Sequence, residues 1–442
     1  QTFTPPLQIQ PAPAEQMTRP VMVMDAAGTA HIAGIVNDRI LYYRTVMGPP
    51  AVTLAMTMPG SGAGWKQFAP DIAVTDDGTT YLAWVEQRGT SGRIACYQVI
   101  PFAEPAGGYD RACIQLDPTH FAQGNIMVAA KQSHAYVLYD RVDAGGKVDS
   151  LWFRKLSGTE PAALVHNYNL VLESGYLFSW DAEIDADGFL HVALLENDGK
   201  DLPPHTNRVV YRSNRALHLD GSMGQTWSML ASNDLEGDSG TSLAFVDDGG
   251  GARVTIAAVV DTAGIDSIRI YSCTITDCLG KTYHLVQLPA SWSIYSEISD
   301  VELVTVNSPV VVGFIGDNGT EANAQVYIKY DALSTNNPAK VYGKLTSHKM
   351  NLQSAVVTRR PGSFFSGPLE VFSWGETDLM SVQFYSFDSN ALLKVYETSC
   401  ASSPLVGEAE AQGTHYAGVW EACGASWFTA WSENTHLPVV TR

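Results

Sequence analysis

Carboxylates at a regular spacing are the residues of this chain best placed to do chemistry. Asp38, Glu86, Asp140, Glu196, Asp261, Asp317, Glu376 and Glu433 each close a short apolar run, as in Leu82-Ala83-Trp84-Val85-Glu86 and Val137-Leu138-Tyr139-Asp140. They recur roughly every 56 residues, a period of stacked supersecondary units. Gathered on one face, such a ring would offer the hard oxygen ligands that Ca²⁺ takes, hydrogen-bonding groups for sugar hydroxyls, or a docking face for a basic partner. The competing reading is plainer: strand ends meet water, acids solvate them, and eight units would space the carboxylates too far apart to share an ion. No cofactor and no dedicated metal site are expected, Ca²⁺ being the one cation the ring could take.

Aromatic and histidine side chains stand beside the acids as candidates. Trp65, Phe68, Tyr109, Phe121, Tyr176, Trp180, Trp292 and Tyr295 precede strand-like runs. Packing between repeat units accounts for most of them. Trp65 and Trp180, flanked by polar residues and glycine, are the two expected to be exposed, where they could stack on a sugar ring. His205 lies in a long polar loop with Glu196 and Asp198 nearby to orient it, the minimum for a general acid or base. A lone surface histidine more often has no such role. His31 and His191 open equivalent runs where Tyr81 stands in another, which argues for a framework part. Nucleophile elbows, phosphate loops, EF-hands and zinc helices are absent from the sequence.

Six cysteines fall into local groups, Cys96 with Cys113, Cys273 with Cys278 and Cys400 with Cys423. An even count in short-range groups reads as three disulfides and an oxidising compartment. A metal site would want tighter spacing with histidine alongside. The expected setting is therefore extracellular or on the cell surface. With 46 acids against 27 bases the net charge is −19, a field that repels nucleic acid and anionic membranes. No apolar run approaches the roughly 20 residues of a membrane helix, and Gln1 opens a polar, Pro-rich stretch rather than a signal peptide.

The elements that must position these groups are strands. Each repeat has four strand-like pieces, and the first two are joined by Asp25-Ala26-Ala27-Gly28, Thr75-Asp76-Asp77-Gly78 or Asp185-Ala186-Asp187-Gly188, turns that need positive φ. The third piece is β-branched and aromatic, as in Ile40-Leu41-Tyr42-Tyr43-Arg44 and Val209-Val210-Tyr211-Arg212. No amphipathic helix is legible. The pattern predicts an all-β chain: an eight-bladed β-propeller of four-stranded antiparallel blades in a single domain, 1–442. The blades are expected at roughly 13–60, 61–118, 119–170, 171–233, 234–290, 291–347, 348–402 and 403–442 with 1–12. The last repeat ends at Pro438-Val439-Val440-Thr441-Arg442, which aligns with a third strand. The expected fourth is Leu7-Gln8-Ile9-Gln10, which would close the ring and remove an exposed edge.

One segment, Asp220-Gly221-Ser222-Met223-Gly224-Gln225-Thr226-Trp227, resembles the Asp-box of the sialidase-like propeller superfamily. The Gly, Thr and Trp positions match, and the Ser and Asp positions are exchanged. The resemblance covers about 20 residues. It implies a propeller and places the box structurally, on the face away from a catalytic site. The family's arginine triad, acid/base Asp and Tyr–Glu pair cannot be assembled here, since only Arg19-Pro20 is similar to any of them.

Three readings of function follow. The first is a secreted or cell-surface, non-catalytic binding or assembly module, contacting glycan or protein through its acidic, aromatic-rich loop face. The second is a glycoside hydrolase or polysaccharide lyase. The third is a structural subunit of an extracellular filament or layer, in which the N-terminal strand joins a neighbouring copy.

Overall fold

The structure, a computed structural model, describes residues 7–9, 17–46, 51–102 except 61 and 90–91, 111–114, 121–142, 148–156, 162–167, 177–197, 207–217, 221–232, 241–247, 252–261 and 266–275. From 283 to 432 it describes the strands, mostly as backbone. Thirty-two strands form eight four-stranded antiparallel sheets among these residues. Seven sheets run up and down in chain order over 18–57, 65–113, 121–167, 177–232, 241–285, 297–344 and 356–397. The eighth joins Leu405–Gln412, His415–Ala422 and Ala425–Ser432 to Leu7–Ile9, from the other end of the chain.

The eighth sheet corrects one expectation. Its third strand is Ala425–Ser432, and Leu7–Ile9 pairs there, with Leu7 opposite Phe428 and Ile9 opposite Ser426. The segment 438–442 expected in that place lies outside the described residues. The sequence misled because Thr429-Ala430-Trp431-Ser432-Glu433 has the composition of a second strand. The true second strand, His415–Ala422, carries the equivalent acid at Glu421.

Local chemistry explains the hairpins. Gly28 and Gly188 adopt φ of 82° and 86°, open to glycine at no steric cost. The Asp25 Oδ1 accepts the Ala27 and Thr29 N–H groups at 2.9 and 2.8 Å, and Asp185 Oδ1 takes those of Asp187 and Phe189, both at 2.9 Å. In the second sheet Thr75 fills this place, its single hydroxyl proton facing Asp77 Oδ1 at 2.7 Å and the Thr79 carbonyl at 3.0 Å. A carboxylate or hydroxyl that mimics the backbone is what fixes such turns.

The apolar core lies in the seams between consecutive sheets. Ile40, Tyr42, Leu82 and Trp84 fill the first seam, and Leu195, Tyr211, Ile256 and Tyr271 fill the fourth. One seam joins the chain ends: Ile9, Met17, Met22 and Ile32 pack with Val419, Phe428 and Ala430. The first strand of each sheet touches the first strand of the next, and Leu405–Gln412 of the eighth touches Thr18–Met24 of the first.

Candidate functional site

Where a second strand stops decides what its acid does. Asp38 lies just beyond Ala30–Val36, in a tight turn with φ of 61°, and is exposed. Its carboxylate meets Lys66 Nζ at 2.8 Å, but both side chains are more than half exposed, so the pair adds little stability. Glu86 and Asp140 differ because Thr80–Arg88 and His134–Val142 run on past the acid. The side chain then turns into the seam rather than out to water, and both residues are fully buried. The expected exposed ring is corrected at these two positions. Glu196, Asp261 and Asp317 lie at the ends of the second strands of the fourth, fifth and sixth sheets, with their side chains outside the described set. Glu376, Glu433 and His205 are themselves outside the described residues.

The acids with described partners reach forward along the chain of sheets or are neutralised at once. Glu421 accepts the backbone N–H of Arg19, 402 residues away, at 3.1 Å. Arg19 holds a φ of 49°, and Ala69 has the same φ before Pro70 in the next sheet, so both sit in a bulge that turns an N–H outward. Glu86 receives the Trp84 indole N–H at 2.9 Å, the Gln67 amide at 3.1 Å and Arg111 at 2.9 Å. Gln67 was missed by the sequence reading, yet it joins two sheets. Its Oε1 accepts the Ile40 N–H at 2.8 Å while its amide also donates to the Pro59 carbonyl. Nothing in the sequence around Gln67 signals that it is buried.

Asp140 is the least satisfied of these acids. The Asn125 amide and the Trp180 indole face it, but neither carboxyl oxygen has a hydrogen bond of full geometry among the described residues. Burial pushes the group up to about 7, against the pull of those two neighbours. Asn125 is exposed and Trp180 half-buried, so they form the outer surface at the seam of the third and fourth sheets, with Asp140 beneath. Trp180 and Asp140, both candidates from sequence, are thus brought together. Trp65 is half-buried at the start of the second sheet.

A second set of carboxyls, also missed, lies on the first strands. Asp71 accepts the Ile72 N–H and, from the next sheet, the Val128 N–H at 2.6 Å. Asp181 does the same with Ala182 and, at 2.7 Å, Leu243. Glu183 lies near the Phe245 backbone, and the Ser242 hydroxyl accepts the Leu303 N–H at 3.0 Å. The inner edge of a first strand has no ladder partner, and these side chains satisfy it. Each carboxyl keeps some surface but is surrounded by protein. Enclosure governs its titration: desolvation raises Asp71 to about 6 and raises Asp181. Glu183 rises to about 8, through burial first and the Asp181 charge second.

The two histidines form matching networks. His31 bonds the Tyr42 hydroxyl at 2.6 Å and Asp25 at 3.2 Å, and His191 bonds Tyr211 at 2.5 Å and Asp185 at 2.9 Å. All six are buried, so no substrate reaches them and their part is framework. Burial lowers His191 to about 4, which keeps it neutral despite Asp185.

Cys96 and Cys113 form a disulfide between the third and fourth strands of the second sheet. Arg111 lies over both sulfurs, 3.1 Å from Cys113 Sγ. Cys273 is also disulfide-bonded, while Cys278, Cys400 and Cys423 lie outside the described residues. No helix among the described residues is long and apolar enough to cross a membrane, and no group of three or more metal-ligating side chains occurs there.

No protein family matches the chain, and no curated protein matches it. Similar solved structures include a protein of unknown function from Dyadobacter fermentans DSM 18053, at 9% identity and a TM-score of 0.41, covering 74% of this chain and 97% of that one. Another is an α-L-arabinanase from Penicillium chrysogenum, at 12% identity and a TM-score of 0.44, covering 75% of this chain and 99% of that one. A third is a prolyl endopeptidase at 12% identity and a TM-score of 0.48, covering 92% of this chain but 53% of that one.

Proposed function

We propose that the chain is a secreted or cell-surface eight-bladed β-propeller, closed by its own N-terminal strand, that binds glycan without catalysis. The closed ring is supported by the run of first-strand contacts from the eighth sheet back to the first, by Leu7–Ile9 on Ala425–Ser432, and by the Glu421–Arg19 bond. The Cys96–Cys113 disulfide supports the extracellular setting.

The observation that carries glycan binding is the surface made by Trp180 and Asn125 over Asp140. The exposed part of a partly buried indole can stack on the apolar face of a sugar ring, and a neighbouring amide can bond its hydroxyls. Asp140 faces both from below. Hydrolysis needs two carboxyls free to flank a glycosidic bond. Asp181 is instead occupied by the backbone N–H of Leu243 in the fifth sheet. A second reading, a glycoside hydrolase, needs the fully buried Asp140, raised toward neutrality, to be uncovered by movement of Asn125 and Trp180 before it can act as general acid.

A glycan array with a reducing-sugar release assay separates the readings. The expected result is glycan binding without release, weakened at least about tenfold by Trp180→Ala, the loss of one aromatic stacking contact. Release that Asp140→Asn abolishes would establish the hydrolase instead. Absence of both binding and release would overturn both.

A further inference from the structure

Glu86 and Asp140 close the apolar runs of two consecutive second strands and are equally buried, yet their surroundings differ. Glu86 meets the Arg111 guanidinium at 2.9 Å, with Trp84 and Gln67 as further donors. The groups that face Asp140 are the Asn125 amide and the Trp180 indole, both neutral. Neither of its oxygens has a hydrogen bond of full geometry among the described residues. Arg141, the next residue, leaves the opposite face of the strand and lies over the Trp152 ring at 3.6 Å. A carboxyl enclosed without a cation or a full set of donors is unfavourable.

The seam above this carboxyl is also the less tied one. Asp71 binds the Val128 N–H across the seam of the second and third sheets, and Asp181 binds the Leu243 N–H across that of the fourth and fifth. Val128 holds the same place in the third sheet: it stands opposite Val137, as Asp71 stands opposite Ala83 and Asp181 opposite Ala193. A valine has no side-chain acceptor to return to the fourth sheet.

We propose that the Trp180–Asn125 surface is selective for sugars that carry a free, protonated amine, whose ammonium group passes beside Asn125 to Asp140. The proposal rests on the glycan reading above and names the class of sugar.

A neutral sugar stacked on Trp180 offers hydroxyls to Asn125 and leaves Asp140 as it is. An ammonium group brings both the N–H donors and the positive charge that Arg111 gives to Glu86. The indole beside it attracts a cation as well as an apolar ring face. Asn125 is exposed and stands at the bulge where the ladder shifts between Ala122 and Ile126, so its side chain has room to swing off the carboxyl. The net charge of −19 favours the approach of a cationic sugar.

Titration calorimetry on the full chain tests this, with a glucosamine disaccharide, its N-acetylated counterpart and a glucose disaccharide. The measurement is made at about pH 6, below the titration of an ordinary amine. The glucosamine disaccharide is expected to bind at least about tenfold more tightly than the other two, the worth of one charge-assisted contact. Asp140→Asn should abolish that preference while the N-acetylated disaccharide still binds. Asp76→Asn, which removes an acid from an exposed hairpin turn, should keep it. Ethanolamine, an amine with no ring to stack on Trp180, should bind at least about tenfold more weakly than the glucosamine disaccharide. Equal binding of the three disaccharides overturns the proposal and leaves the glycan reading standing. A preference that survives Asp140→Asn, or ethanolamine binding as tight as that of the sugar, overturns it too. Should Asp140→Asn not fold, the comparison of ligands on the native protein decides alone. Absence of binding by all three disaccharides overturns the proposal, and the glycan array then shows whether the broader reading falls with it.

Discussion

Glu86 shows how a buried acid becomes a structural part. Its carboxylate is fully enclosed, and its compensation comes from Arg111, whose side chain is 23% exposed. Replacing Arg111 by Met removes the described cation from a buried carboxylate whose other described donors, Trp84 and Gln67, are neutral, which should cost about 3 kcal/mol. Glu86→Gln in the same background should recover much of that loss, because an amide tolerates burial. Urea denaturation of the two variants measures both steps. Tyr211 makes a similar case. Its hydroxyl is the described partner of His191 Nδ1, so Tyr211→Phe leaves a buried ring nitrogen unsatisfied at about 1–3 kcal/mol. An unchanged denaturation midpoint for Tyr211→Phe would mean that the network carries no stability.

At the scale of elements, the chain ends depend on close fits. Leu7–Ile9 is three residues long, too short to hold by itself, and gains its place from the seam in which Ile9 is buried. Removing residues 1–10 should cost the burial of Ile9, about 1.5–3 kcal/mol, and expose the Ala425–Ser432 edge to aggregation. A lower Tm together with rising light scattering is the expected record. Met17, fully buried, lies where a Cβ on Gly34 would stand, and its carbonyl accepts the Ser426 hydroxyl at 2.8 Å. Gly34→Val should push Met17 out and destabilise by about 1–3 kcal/mol, read as a lower Tm. The same substitution with Met17→Ala should recover part of it, since the added volume then has room.

For the whole molecule, the enclosed carboxyls set the pH response. Asp71, Asp140 and Glu183 all titrate above their ordinary values, to about 6, 7 and 8. Their contribution is full below the unfolded values of 3.8 and 4.5 and is lost as pH rises through the folded ones. Asp25, Asp77 and Asp185 are held low by hydrogen bonds, and their contribution is present above 3.8 and lost as pH falls through their folded values. Stability should therefore be greatest at about pH 4–5 and decline toward pH 8. A Tm that rises steadily from pH 5 to pH 8 would show that these carboxyls are ionised at little expense.

Turn chemistry and the recurring apolar, β-branched and aromatic runs made the strands legible in the sequence, because these follow from neighbours along the chain. Asp25-Ala26-Ala27-Gly28 and its relatives determined their hairpins in the same local way, and Leu7–Ile9 announced itself as a spare strand. The partner of that strand was decided only in three dimensions, since Thr429-Ala430-Trp431 reads equally well as a second strand or a third. Two of the eight acids, Glu86 and Asp140, are buried where exposure was expected, for a related reason. Whether Glu86 or Asp140 meets water depends on how far its strand runs past it and on what the next sheet brings up. Asp71, Asp181 and Glu183 gave no signal at all: a carboxyl in a strand looks solvated until the fold places an unpaired N–H from the next sheet beside it. Local patterning encodes elements, whereas burial and partnership are properties of seams between residues some 60 positions apart, such as Asp181 and Leu243 with a separation of 62.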